Sequence, residues 1–205
     1  MAAVVAQAAG EIRLAGPRGR WVLAAAVLGS SMAMLDGTVV NVALPTIGRD
    51  LHASLAGLQW TVTAYTLTLA GLILLGGSLG DRLGRRRIFL VGVIWFALAS
   101  VLCGLSPTIG VLIAARALQG MGGALLTPGS LAIIQATFYP DDRPKAIGAW
   151  SGLGGVAAAV GPFLGGWIVG SVGWRWIFLL NLPLAAAATP PRPDQAPIAF
   201  GRSSG

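Results

Sequence analysis

Charge is scarce in this 205-residue sequence: Asp, Glu, Lys and Arg together make up 10% of it. A soluble domain carries about 25%, and a water-facing surface cannot be built from so few charges. That excludes an ordinary soluble enzyme or binding module, and disorder with it, since disordered chains are polar and highly charged. Cysteine occurs once, as Cys103, and histidine once, as His52. No disulfide and no cysteine-based metal site can form within one chain, so Cys103 reads as a small core residue. No metal site, phosphate loop or ATP-binding motif is legible, and no cofactor is expected.

Apolar residues are abundant instead, at 55% with a mean hydropathy of +0.77. The solvent implied is a bilayer, in which six spans would use roughly 120 residues. The fold class expected is an all-α membrane protein. The net charge of +7 could suggest nucleic acid, but the basic residues are spread between apolar runs, where they set topology. No nucleic-acid partner is expected.

Uncharged runs place spans at about 21–46, 58–79, 88–105, 109–135, 146–170 and 174–188. Ser106-Pro107 separates the third from the fourth, and Tyr139-Pro-Asp-Asp-Arg-Pro144 the fourth from the fifth. Residues 1–20 lack the layout of a signal peptide and read as a cytoplasmic tail. With that end inside, the inner segments hold Arg13, Arg18, Arg20, Arg82, Arg85, Arg86, Arg87, Arg143 and Lys145, against Arg49 and Arg175 outside. Nine against two is a strong positive-inside bias, and it implies a multi-pass protein of the cytoplasmic membrane. Trp21, Trp60, Trp174 and Trp176 fall near span ends, at headgroup level. The sixth span is short for a bilayer, or truncated. Residues 189–205 are Pro-rich and aperiodic, reading as a disordered tail or as an artificial end left by a frameshift.

Two charges fall inside spans, Asp36 in the first and Arg116 in the fourth. Each costs about 2.5–3.5 kcal/mol at the bilayer centre if unpaired. At 1.5 Å per residue they lie about 15 and about 10 Å from the same membrane face, close enough to meet across a cavity. There, water and Arg116 would govern the charge of Asp36, the minimal part of a proton-coupled exchanger; a structural ion pair is the other reading. Thr38, Asn41, Gln119 and Gly120 stand near them as cavity lining or as interhelical hydrogen-bonding and packing residues. Trp60 and Tyr65 could offer an aromatic binding surface, or simply pack.

Between spans 2 and 3 stands Gly77-Ser-Leu-Gly80-Asp81-Arg82-Leu-Gly84-Arg85-Arg86-Arg87. Gly80 and Gly84 suit a tight turn, Asp81 can face a helix N-terminus, and the arginines mark the cytoplasmic face. The turn reads as a gate, or more plainly as a positive-inside loop. In span 5, Gly161-Pro162-Phe-Leu-Gly165-Gly166 combines a lost backbone donor with missing side chains, suiting a hinge or seal.

Together these segments resemble the major facilitator superfamily. The 77–87 turn is similar to its motif A. Arg116-Ala-Leu-Gln119-Gly120-Met-Gly-Gly is similar to motif B, associated with proton coupling, and Gly161–Gly166 to motif C, the antiporter signature. Leu35-Asp36-Gly-Thr38-Val-Val-Asn41-Val-Ala-Leu-Pro45 and Trp174-Arg-Trp176-Ile-Phe-Leu-Leu-Asn181-Leu-Pro183 resemble the first and sixth spans of the fourteen-helix drug:proton antiporter branch. Over residues 20–184, the resemblance implies the N-terminal six-helix bundle of a two-bundle transporter with alternating access.

The function so implied is drug:proton antiport of amphipathic, antibiotic-like compounds. Asp36 and Arg116 would couple the proton, Gly77, Gly80, Asp81, Arg82, Gly84, Arg85 and Arg86 would gate, and Gly161, Pro162, Gly165 and Gly166 would form the antiporter hinge. Partners would be lipid, a small amphipathic substrate, protons, and a second half-transporter bundle or a second copy. A non-transporting fragment and a half-transporter active only as a dimer are the alternatives. A remote one, an intramembrane hydrolase, needs a Ser and a His at one depth, and His52 falls in an outer loop. The protein is not expected to be an enzyme.

Overall fold

The computed structural model describes residues 12–189, almost all helical. The helices are α1 (Pro17–Asp50), α2 (Leu55–Leu83), α3 (Arg85–Gly104), α4 (Ile109–Thr137), α5 (Arg143–Ser171), α6 (Arg175–Leu179) and α7 (Asn181–Ala188). The first five are long and apolar enough to cross a membrane. At 34 residues, α1 is on the order of 50 Å long, well beyond the roughly 30 Å hydrocarbon layer.

Local chemistry sets the ends. Pro17 stands in the first turn of α1, where its missing N–H is no loss. The helix therefore begins four residues before the expected Trp21, inside what the sequence suggested was tail. Ser54 caps α2 by accepting from the Gly57 N–H at 3.2 Å, and Thr108 caps α4 by accepting from Val111 at 3.4 Å. Gly84 alone separates α2 from α3, with φ +99°, a backbone region that favours glycine. Gly80 is helical, its carbonyl accepting the Gly84 N–H, so the turn needs one glycine and not two.

The sixth span is two short helices that meet at Leu180. The expected disordered or artificial tail at 189–205 lies, past Thr189, outside the described residues.

α4 is the spine of the bundle. Gly76 on α2 abuts the Ala124 carbonyl, and Gly120 abuts Thr68 and the Tyr65 carbonyl. On the α3 side, Gly92 and Gly122 let the backbones of α3 and α4 approach. A β-carbon at Gly76 or Gly120 would overlap its neighbour's atoms. The most extensive contacts are α2 with α4, α3 with α4, and α1 with α5. Leu67, Leu74, Leu98, Phe163 and Trp167 remain exposed on the outside, as lipid-facing residues should be. Trp21, Trp60 and Trp176 are also exposed, but Trp174 is 1% exposed. It donates to Asp50 at 2.9 Å, so it packs inside the end of the bundle.

At the opposite end, residues 12–14 form a clamp absent from the sequence reading. The Ile12 N–H donates to the Thr137 carbonyl at 2.8 Å and the Leu14 N–H to Asp142 at 3.1 Å. Arg13 stacks over Tyr139 at 4.2 Å.

Candidate functional site: a buried ion pair between α1 and α4

Asp36 and Arg116 are in direct contact, joined by a hydrogen-bonded ion pair. Both side chains are 1% exposed, so the pair does not face across an open cavity as expected. The physical reason is desolvation. Two charges removed from water attract strongly enough to close on each other, and each then needs its remaining donors or acceptors filled.

The structure fills them. Arg116 donates through Nε to the Thr61 carbonyl at 3.2 Å and through a terminal nitrogen to Gln119 Oε1 at 2.7 Å. Its guanidinium lies 4.1 Å from the Tyr65 ring centroid and 5.9 Å from that of Phe178, within cation–π range. The second carboxylate oxygen of Asp36 accepts from Gln119 Nε2 at 2.8 Å. That amide also donates to Ser100 Oγ at 2.9 Å, and Asn181 donates to the same oxygen at 3.2 Å. Cys103 completes the group, its thiol donating to Gln119 Oε1 at 3.4 Å. Among the described residues, the only buried side-chain nitrogen or oxygen without a partner is Thr127 Oγ1, outside this network.

One carboxylate, one guanidinium and one amide are thus held by α1, α2, α3, α4, α6 and α7. Such a unit can hold a negative charge in an apolar setting, or a proton in its place, with different partners in the two cases. Of the sequence candidates, Asp36, Tyr65, Arg116 and Gln119 come together. Gly120 packs beside them against α2. Thr38 donates to the Leu35 carbonyl at 2.9 Å and lies under Gly161. Asn41 bonds the Gly37 carbonyl of its own helix at 2.7 Å and is exposed, as is Trp60; neither reaches the pair.

Ser100, Cys103, Phe178 and Asn181 escaped the reading as members of the site. The usable signal was polarity inside apolar runs, which Ser100 and Asn181 carry; nothing local marks Phe178.

The turn residues form a separate cluster at one end. Asp81 lies in the last turn of α2 and pairs with Arg85 at 3.0 Å. Arg85 also donates to the Ala132 carbonyl of α4 at 3.2 Å. Gly77 meets only Pro128, at 4.0 Å, while Arg82 and Arg86 are exposed. In α5, Gly161 and Gly165 face α1 at Thr38 and Val39, whereas Pro162 and Gly166 point outward. Pro162 leaves the Ala158 carbonyl without its helical donor, a site where the helix can flex. His52 is exposed in the α1–α2 loop with φ +49°, apart from the buried network. Among the described residues no His, Cys, Asp or Glu cluster could hold a metal ion.

Five apolar helices long enough to cross a membrane, packed around one satisfied charge pair, make a multi-pass membrane bundle. Residues 26–197 match the Major Facilitator Superfamily, and the chain belongs to that family. It is 44% identical over 195 residues to the tetracenomycin C resistance and export protein of Streptomyces glaucescens, covering 90% of this chain and 36% of that protein. It is 47% identical over 173 residues to the puromycin resistance protein pur8 of Streptomyces alboniger, covering 84% and 34%. With the methylenomycin A resistance protein of Bacillus subtilis it shares 46% over 169 residues, 82% and 36%. The chain spans about a third of the length of these curated relatives.

Its fold matches a bacterial homologue of the human lysosomal transporter Spinster, in an inward-facing and unoccupied conformation. The TM-score is 0.67 at 26% identity, covering 85% of this chain and 42% of that one.

Proposed function

We propose that this chain is the N-terminal, proton-coupling bundle of an exporter that exchanges protons for amphipathic, antibiotic-like compounds across the cytoplasmic membrane. The observation that carries this reading is the buried Asp36–Arg116–Gln119 group. A carboxylate in an apolar bundle, held by one fixed cation and one reorientable amide, has two protonation states with different preferred partners. Asp36 carries the proton, and Arg116 stabilises its charged form. The Asp81–Arg85 pair, with Arg82 and the Gly84 turn, governs closure at the end where the arginines cluster. Gly161, Pro162, Gly165 and Gly166 let α5 bend and pack on α1. Residues that missed the buried group, Asn41 and Trp60 among them, line the surface that substrate or a second bundle would meet.

The relatives' association with resistance and export of antibiotics supports the substrate class. The charge distribution supports a cytoplasmic N-terminus. Completing a translocation path requires a second helical bundle.

The test is efflux of an amphipathic cationic dye from dye-loaded right-side-out vesicles containing an intact exporter with this bundle. Asp36→Asn abolishes efflux driven by a pH gradient while dye still binds. Undiminished gradient-driven efflux by Asp36→Asn would overturn the assignment.

A further inference from the structure

The buried group extends past the ion pair along a single line of hydrogen bonds, and the direction of each bond is determined. The hydroxyl proton of Ser100 is engaged by the Phe96 carbonyl at 2.8 Å. Ser100 Oγ is therefore left as an acceptor only, and it accepts twice, from Gln119 Nε2 and from Asn181 Nδ2. A hydroxyl has one proton and two acceptor positions, so its capacity is full. That fixes the Gln119 amide. Its N–H side must face Ser100 and Asp36, and its oxygen must face Arg116 and Cys103.

We infer that Ser100 and Asn181 are positioning residues for Asp36. They hold the Gln119 amide with its donor toward the carboxylate, and so link the protonation state of Asp36 to the seating of the short sixth span, which carries Asn181. The inference rests on the reading of Asp36 as the proton carrier.

Protonation makes the link explicit. A proton arriving from water on the Asp36 oxygen that faces Gln119 turns an acceptor into a donor. It then confronts the amide N–H, and two donors cannot share that position. Turning the amide over supplies Oε1 to the new O–H, but it also presents Oε1 to Ser100. It turns Nε2 toward the Arg116 nitrogen that had donated to Oε1, so those two groups must separate and that nitrogen keeps Asp36 as its acceptor. Ser100 must then donate to Gln119, and the Phe96 carbonyl loses its side-chain partner. Asn181 limits that rotation to one direction, because its N–H occupies one of the three positions around Ser100 Oγ and the hydroxyl proton can point only to Phe96 or to Gln119. Asn181 is the first residue of α7, which continues from α6 through the helical Leu180, and is 2% exposed. Its position is therefore sensitive to how α6 and α7 sit on the bundle.

The titratable and charged groups facing Asp36 are Arg116 from α4, Tyr65 from α2 and Cys103 from α3. α5 carries charge only in its first turn, at Arg143 and Lys145. α6 carries Arg175, which bonds the Ser106 carbonyl at the far end, and α7 carries none.

Cys103 provides the probe. It is the sole cysteine, and its S–H stretching band lies in an infrared window clear of other protein absorptions. The thiol donates to Gln119 Oε1 only while the amide stands as described. The experiment is a pH titration of that band for the whole chain in lipid nanodiscs, with helicity checked by circular dichroism. In the unsubstituted chain the band moves to higher frequency on acidification, as the thiol loses its acceptor, and in Asp36→Asn it does not respond to pH. Ser100→Ala and Asn181→Ala shift band intensity toward the unbonded frequency already at high pH, and Ser100→Thr, which keeps the hydroxyl, restores the original position.

A band in Ser100→Ala and Asn181→Ala that coincides with the unsubstituted chain throughout the titration overturns this inference and leaves the role of Asp36 standing. A band that never responds to pH in the unsubstituted chain overturns both readings. Where Ser100→Ala loses helicity, Asn181→Ala and Ser100→Thr decide the matter alone.

Discussion

Replacing Arg116 by methionine keeps an unbranched side chain of comparable reach and removes only the charge and its donors. Asp36 is left with a single donor, Gln119, in a site where its side chain is 1% exposed. The Thr61 carbonyl loses its arginine partner as well. Breaking a buried pair from one side costs about 3–5 kcal/mol, because the remaining charge stays buried. Removing both partners with apolar residues of similar volume is far milder, often neutral. Arg116→Met should therefore destabilise the bundle by about 3–5 kcal/mol. The double variant Asp36→Leu/Arg116→Met should recover most of that loss, although Gln119 then donates only to Ser100.

The assay is denaturant unfolding of the chain in bicelles, followed by circular dichroism, with the four corners of the double-mutant cycle measured together. A loss below about 1 kcal/mol for Arg116→Met, the value of an exposed pair, would refute the argument that burial makes this interaction expensive to break. A double variant no more stable than Arg116→Met would equally refute the uncompensated-charge explanation.

Further outcomes follow from other contacts. Gly120→Ala places a β-carbon into Thr68 and the Tyr65 carbonyl, and should cost about 1–3 kcal/mol in the same unfolding assay; Gly37→Ala, where nothing lies within 4 Å, is the matched control. Gly84→Ala, at φ +99°, should destabilise the α2–α3 turn by about 1–3 kcal/mol without changing helix content. Ser30 joins Trp150 at 2.8 Å and Ser130 at 2.7 Å. Ser30→Ala should cost about 1–3 kcal/mol and change the tryptophan fluorescence. Asp142→Ala removes the acceptor of the Leu14 N–H and the partner of Arg13, so limited trypsin should cut faster at Arg13 in the variant than in the parent.

The all-helical apolar character and the family resemblance were legible in the residues alone. Each depends on composition, period and spacing, which survive in one dimension. The two intramembrane charges were legible for a related reason: a charge in an apolar run is costly wherever the chain goes, so its presence demands a partner. Which of the two readings of Asp36 and Arg116 holds, a meeting across a cavity or the direct ion pair the structure shows, was not legible. Residue numbers give depth along a helix but not rotation about its axis, and rotation decides whether two side chains face.

The same limit hid the rest of the network. Ser100 and Asn181 show in sequence only as polar residues in apolar runs, and Cys103 as a small core residue. They join the site only because α3 and the sixth span are packed beside Gln119. Asn41 and Trp60 show the converse, since suitable chemistry at suitable depth turned outward. Gly80 looked like part of a turn because its neighbours are glycines and charges, but helix α2 continues through it and stops only where Gly84 adopts positive φ. Sequence determined what this protein must avoid, an unpaired charge in lipid and an exposed polar backbone. Tertiary packing decided which groups satisfy those demands, because a hydrogen bond requires a partner within about 3 Å and in line, and only the assembled helices set that geometry.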